Sequence, residues 1–292
     1  MTHYGCQLMA EKMSKVLMRR PADSLRQADQ QVWHYNHLFD AEKAIQQYDA
    51  FTQLILDTGC DIVWMEDNND GLCDAMFTRD ASLITKAGAI PLKMGKSLRT
   101  PEPELHKQTY DKLGIPILGQ LTGEAKIEGG DTIWLNEHTL LVGMGFRSNQ
   151  AGVDQLNALL NPNDIQVLGF DMPYWSGKEA CLHLMSVISP LTENKYLVHP
   201  PLIPARLWQL LEDQGIEFVI APEDEFTASF GLNLNVLPTS PDQCIMIEGF
   251  PKTKQRMEDH GVTVHVFEGD ALCMACEGGP TCLTNPILRE AN

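Results

Sequence analysis

At 292 residues, with 43% hydrophobic and 21% charged residues, the chain has the composition of an ordinary folded protein and enough length to bury a sizeable core. A formal net charge of −17 disfavours nucleic acid or an anionic membrane as partner, because both are held by clusters of Lys and Arg. A small cationic substrate is compatible with that field.

Taken in chain order, one pattern recurs five times: an apolar strand, a polar turn, an amphipathic helix, then Gly or Asn and a β-branched strand. The first unit runs from KVLMRRP (15–21) through a helix opened by Asp40 and closed by Gly59 into CDIVWME (60–66). The second has IPLKMG (90–95), a helix capped by Thr100 with Pro101 next, then Gly114 and IPILG. In the third, TLLVGMG (139–145) precedes a helix opening at Ser148, with Asn163 leading into DIQVLGF (164–170). The fourth has KYLVHPP (195–201), the helix LWQLLEDQ, Gly215 and IEFVIA. The fifth has CIMIEG (244–249), the helix TKQRMEDH, Gly261 and VTVHVFE. Polar residues at helix starts satisfy orphan amides, and Gly after the ends permits a left-handed residue.

The turning points recur about every fifty residues, which predicts α/β modules within a single domain over 1–292. Five strand–helix–strand repeats could close into a ring with no exposed sheet edge, or lie side by side in an open doubly wound sheet.

Each second strand is followed by an irregular stretch of distinctive composition: FTRD (77–80), EGGD (128–131), CLHL (181–184), LNLNVL (232–237) and GGPTCLT (278–284). Counted from the preceding turning point, Asp80 and Cys282 lie at +21, His183 and Asn235 at +20, and Glu128 at +14. Equivalent places in ring-related units point to the same end of the axis, so Asp80, Glu128, His183 and Cys282 are expected to converge. A Cys nucleophile needs a positioned proton carrier, and His is the usual one. Two carboxylates beside them would repel each other unless a cation lay between, and a planar guanidinium matches carboxylates in charge and geometry.

FTRD, EGGD, the HL of CLHL and GGPTC, in this order over nearly the whole chain, resemble the guanidino-modifying superfamily of arginine deiminases, dimethylargininases and amidinotransferases. The resemblance implies a five-bladed β/α propeller (pentein) and a hydrolase that converts arginine or an N-methylated arginine to citrulline. It further implies Cys282 as nucleophile, His183 as proton carrier, and Glu128 and Asp80 as guanidinium ligands. Asp74 and Phe77 of DAMFTRD match pocket-lining positions, and Asp131 of EGGD joins the substrate-binding set. Arg147 of GMGFRSN matches the arginine that takes the substrate carboxylate, with Arg99 of GKSLRTPE as a second contact and Lys96 as its competitor.

Three departures leave the substrate open, with amidinotransferase and arginine dihydrolase chemistry as alternatives to simple hydrolysis and a non-catalytic binding member of the fold as a further one. Met185 follows His183 and Leu184 where the larger deiminases have Asp; Glu277 stands five residues before Cys282 where they tend to have Arg; and Arg79 occupies a position that is usually acidic in dimethylargininases.

The other cysteines, at 6, 60, 73, 181, 244, 273 and 276, are scattered and read as reduced thiols. CMAC (273–276) is one Cys pair without a second, too few thiolates for structural zinc, and no phosphate-loop or dinucleotide spacing occurs, so no metal or cofactor is expected. No apolar run approaches the roughly 20 residues of a membrane span, and no secretory apolar segment precedes the early charges. A cytoplasmic enzyme is expected, with a homo-oligomer left open.

Overall fold

Short apolar runs broken by polar turns can pair only locally, and the described residues form five small sheets instead of one large one. The computed structural model describes residues 3–21, 23–66, 70–178, 180 and 182–290; Cys181 lies outside them. Strand β1 (Lys12–Met18) pairs in parallel with β2 (Asp61–Trp64). The two-stranded second sheet joins β3 (Ser82–Thr85) to β4 (Gly88–Pro91). The third has β5 (Thr132–Asn136), β6 (Thr139–Met144) and β7 (Gln166–Asp171), and the fourth β8 (Ile188–Pro190), β9 (Lys195–Val198) and β10 (Glu217–Ile220). The fifth has β11 (Leu237–Ser240), β12 (Gln243–Ile247) and β13 (Thr263–Phe267). Last, β14 (Asn285–Glu290) returns to lie antiparallel on β1, so the two ends of the chain share a sheet.

The repeat is therefore strand–strand–helix–strand, an antiparallel pair followed by a parallel crossover, as in β5–β6–β7. Separation into five sheets removes the open doubly wound alternative. It also corrects the expectation of a sheet without edges, because β2, β7, β10 and β13 each pair on one side only among the described residues. IPILG forms no strand of its own and touches β4 through a single bridge from Ala89 to Ile117.

Helix Ala41–Asp57 shows how a crossover is fixed. The Asp40 carboxylate accepts from the Lys43 amide at 3.0 Å, capping the first turn. Ala44, Tyr48, Phe51 and Ile55 recur at helical spacing and are fully buried. Each of the three large ones contributes roughly 1.5–3 kcal/mol through burial. Gly59, Gly114, Gly215 and Gly261 are left-handed after their helices, as expected. In the third unit the left-handed residue is Asp164, not Asn163. Two cap assignments also move. Asn149 caps helix Gln150–Leu160 in place of Ser148, and Pro101 precedes helix Glu102–Leu113 while Thr100 closes the short turn before it. Among the described residues no helix is long and apolar enough to cross a membrane.

Candidate active site

The strands β3, β5, β8, β11 and β14 each open a sheet or, for β14, complete one, and each begins two to five residues after a side chain from one of the segments with distinctive composition. Asp80 leads into β3, Glu128 into β5, His183 into β8, Asn235 into β11 and Cys282 into β14. The offset of +20 to +21 shared by Asp80, His183, Asn235 and Cys282 thus has a structural cause, each standing just before such a strand, and Glu128 at +14 stands at the corresponding junction before β5.

His183 joins the two acids. Its Nε2 lies 2.8 Å from Glu128 Oε2 and its Nδ1 4.0 Å from Asp80 Oδ1. Glu128 is fully buried, and its Oε1 accepts from the backbone amides of Gly95 at 2.8 Å and Lys96 at 3.1 Å. Arg147 Nη1 reaches the same carboxylate at the longer distances of 3.3 and 3.4 Å. Burial alone would raise the Glu128 carboxyl, yet the His183 hydrogen bond and charge, with Arg147 and Arg99, hold it well below the usual carboxylate range. Asp80 accepts from the Gly130 amide at 2.9 Å and from Arg99 Nη1 at 2.6 Å. Gly130 is required there, because a Cβ would strike the His183 ring and come within 3.0 Å of Asp80 Oδ1.

The Cys282 thiol accepts from Asn235 Nδ2 at 3.0 Å, while Asn235 Oδ1 accepts from the Thr281 amide at 2.9 Å and so fixes the turn that carries the sulfur. Gly279 passes so close to the Asn235 side chain that a Cβ could not be accommodated. Asn235 fell at the shared offset but received no role from the sequence, since a carboxamide has no charge to mark it.

Asp80, His183 and Cys282 line one cavity of about 440 Å³, within the usual range of ligand sites. Asp74, Phe77, Arg99 and Arg147 line it too. Glu128 does not, lying one layer deeper against His183 and Arg147. Lys96 donates to Asp74 Oδ2 at 2.6 Å, and Tyr35 donates its hydroxyl to Asp74 Oδ1 at 2.8 Å.

Arg99 and Asp131, both expected as substrate contacts, meet protein partners here. Arg99 is buried with its fork on Glu102 at 2.8–3.1 Å, on Asp80, and on the Phe77 carbonyl at 2.9 Å, which makes it the residue that orients Asp80. Asp131 stands behind the cavity wall, where Oδ1 accepts from the Leu184 amide at 3.0 Å and Oδ2 from the Ser148 hydroxyl at 2.6 Å. It anchors the segment that presents His183. Two of the departures also lie off the cavity wall. Arg79 is buried, donating to the Thr132 carbonyl at 3.2 Å, and Met185 is buried in the core.

Asp80, Glu128 and His183 bring one ligand atom each within 4.8 Å of one another, a spacing a metal ion could use. Their charges are already matched, though, with Arg99 on Asp80 and both His183 and Arg147 on Glu128. The donor set suits a delocalised cation better than a compact dication.

An arginine deiminase family model matches residues 68–229. A dimethylarginine dimethylaminohydrolase of Streptomyces coelicolor is 26% identical over 276 residues, covering 92% of this chain and 95% of that protein. An arginine deiminase of Listeria welshimeri is 24% identical over 260 residues, covering 76% of this chain but 63% of the longer relative. Among solved structures, a DDAH from Pseudomonas aeruginosa, a cysteine-to-serine mutant complexed with citrulline, superposes with a TM-score of 0.76 at 21% identity, covering 96% of this chain and all of that one.

Proposed function

The chain belongs to the arginine deiminase family, whose model takes in residues 68–229, and on that premise we propose that it is a cysteine hydrolase converting arginine or an N-methylated arginine to citrulline. The five sheets are then the blades of a β/α propeller formed by residues 1–292 as one domain. The observation that carries this reading is His183, held by Glu128 at 2.8 Å beside Asp80 on the wall of the cavity that also contains Cys282.

An ionised carboxylate offers about four lone-pair sites, so Asp80, with Arg99 and the Gly130 amide as partners, keeps acceptor capacity for a substrate guanidinium, whereas Glu128 is filled by the Gly95 and Lys96 amides, His183 and Arg147 and regains capacity only when Arg147 withdraws. Arg147, at the long end of its contact with Glu128, yields that oxygen and takes the substrate carboxylate instead. Asp74 and Phe77 form the wall beside the substrate chain. The bound cation lowers the cost of the Cys282 thiolate, the thiol proton passes to His183, and the sulfur attacks the guanidinium carbon. His183 gives that proton to the departing ammonia, methylamine or dimethylamine. It then takes one from water, which hydrolyses the amidino-cysteine and frees the thiol. One water enters per turnover, and citrulline and ammonia or amine leave.

Incubation with arginine, monomethylarginine and dimethylarginine, followed by mass spectrometry, tests the assignment. Citrulline with one equivalent of ammonia or amine is expected. Ornithine with two equivalents of ammonia would make the protein a dihydrolase, amidino transfer to an added amine would make it a transferase, and no product from any of them would remove the reading.

A further inference from the structure

Glu277 is a charged group on the cavity wall that the reaction above leaves unused. It lines the cavity with Cys282, five residues on, and is exposed at its mouth. The other carboxylates of the site already meet a cation: Asp74 meets Lys96 at 2.6 Å, Asp80 meets Arg99 at 2.6 Å, and Glu128 meets His183 at 2.8 Å. The Glu277 carboxylate makes no hydrogen bond and no ion pair within 4 Å among the described residues, and the Lys96, Arg147 and His34 charges act on it only from farther off. Its backbone is left-handed, with φ 59°, a conformation uncommon for a residue with a side chain. Two glycines follow at once, so the turn had residues free to take that conformation elsewhere, yet a long acidic side chain occupies it.

From this we infer that Glu277 anchors a primary ammonium at the end of the substrate remote from its guanidinium. The inference rests on the guanidino-hydrolase reading and deepens it. The inner end of the cavity takes the guanidinium, and the outer end then carries two opposed charges, Arg147 for a carboxylate and Glu277 for an ammonium. A guanidino compound that has the ammonium but lacks the carboxylate still meets Glu277, so the site accepts it. An arginine at this position, the residue that the larger deiminases tend to have, would instead favour a second contact to the carboxylate.

Three probes separate these contributions, since all present the same guanidino end: arginine carries both head groups, agmatine the ammonium alone, and 4-guanidinobutanoate the carboxylate alone. For Glu277→Gln, KM for arginine and agmatine should rise about fivefold, the size of a partly solvated ion pair. KM for 4-guanidinobutanoate should fall. Glu277→Arg should move the three in the same directions and further. An unchanged KM for agmatine, or an equal rise for all three probes, would overturn the assignment. If the unmodified protein turns over none of the three and no methylated arginine, the guanidino reading itself fails and the ammonium site goes with it.

Discussion

Burial pushes the Cys282 thiol up to about 11, with the Asp80 charge adding to the rise, and the His183 ring, the Asn235 amide and the Gly279 amide offset only part of it. At neutral pH the sulfur rests as a thiol, and the attacking anion forms once a cation arrives. Because the thiolate is the species that alkylates, iodoacetamide labelling of Cys282 in the ligand-free protein should quicken roughly tenfold per pH unit between about pH 7 and 9, without a plateau. Peptide-resolved mass spectrometry reads the rate, and a plateau below about pH 8 would mean a preformed thiolate. Among single residues, those with chemical signatures were legible in the sequence: Cys282, His183, Asp80 and Glu128 stood out by type and spacing. Arg99 and Asp131 were legible as charges but not as partners. Their roles depend on Glu102, Ser148 and the Leu184 amide, and nothing in their own sequence positions announces those contacts.

At the scale of the element, the helices and parallel strands were legible and the antiparallel strands were not. Helix periodicity and left-handed glycines mark the crossovers, whereas β8, β11 and β14 contain Pro190, Pro238 and Pro286, residues that argue against a strand. These strands matter most to the site, because the segment just before each one presents a functional side chain. The turn Gly129–Asp131 is one such junction: Gly130 packs under the His183 ring while Asp131 holds the Leu184 amide. Gly130→Ala should displace the imidazole, lowering kcat about a hundredfold or more, and should cost about 1–3 kcal/mol in stability through overpacking. Turnover and thermal melting measure the two effects separately. Normal kcat in a folded variant would show that His183 need not be held where this turn places it.

Across the whole molecule, the last strand joins the two ends of the chain in one sheet. β14 covers one side of β1, and Arg289 within it donates to the Pro238 carbonyl at 2.8 Å, tying the first sheet to the fifth. Removing residues from 285 onward would leave the β1 amides that face β14 unpaired and expose the apolar side chains of Val16 and Leu17. The truncated chain should lose its cooperative melting transition altogether, not a local part of it. A sharp transition retained after the deletion would show that the remaining sheets fold as an independent unit. The approximate fifty-residue period revealed how many modules the chain has. It did not reveal that the two ends complete one of them together, because β1 and β14 are separated by almost the full sequence.

The most direct measurement of the central claim is acid quenching during turnover of arginine, followed by peptide mapping. The amidino fragment should be found on the peptide containing Cys282, and Cys282→Ser should abolish turnover while Cys273→Ser and Cys276→Ser keep most of it. Cys276 is the informative control, because it is buried yet also lines the cavity. An adduct on Cys276, or wild-type turnover by Cys282→Ser, would contradict the account.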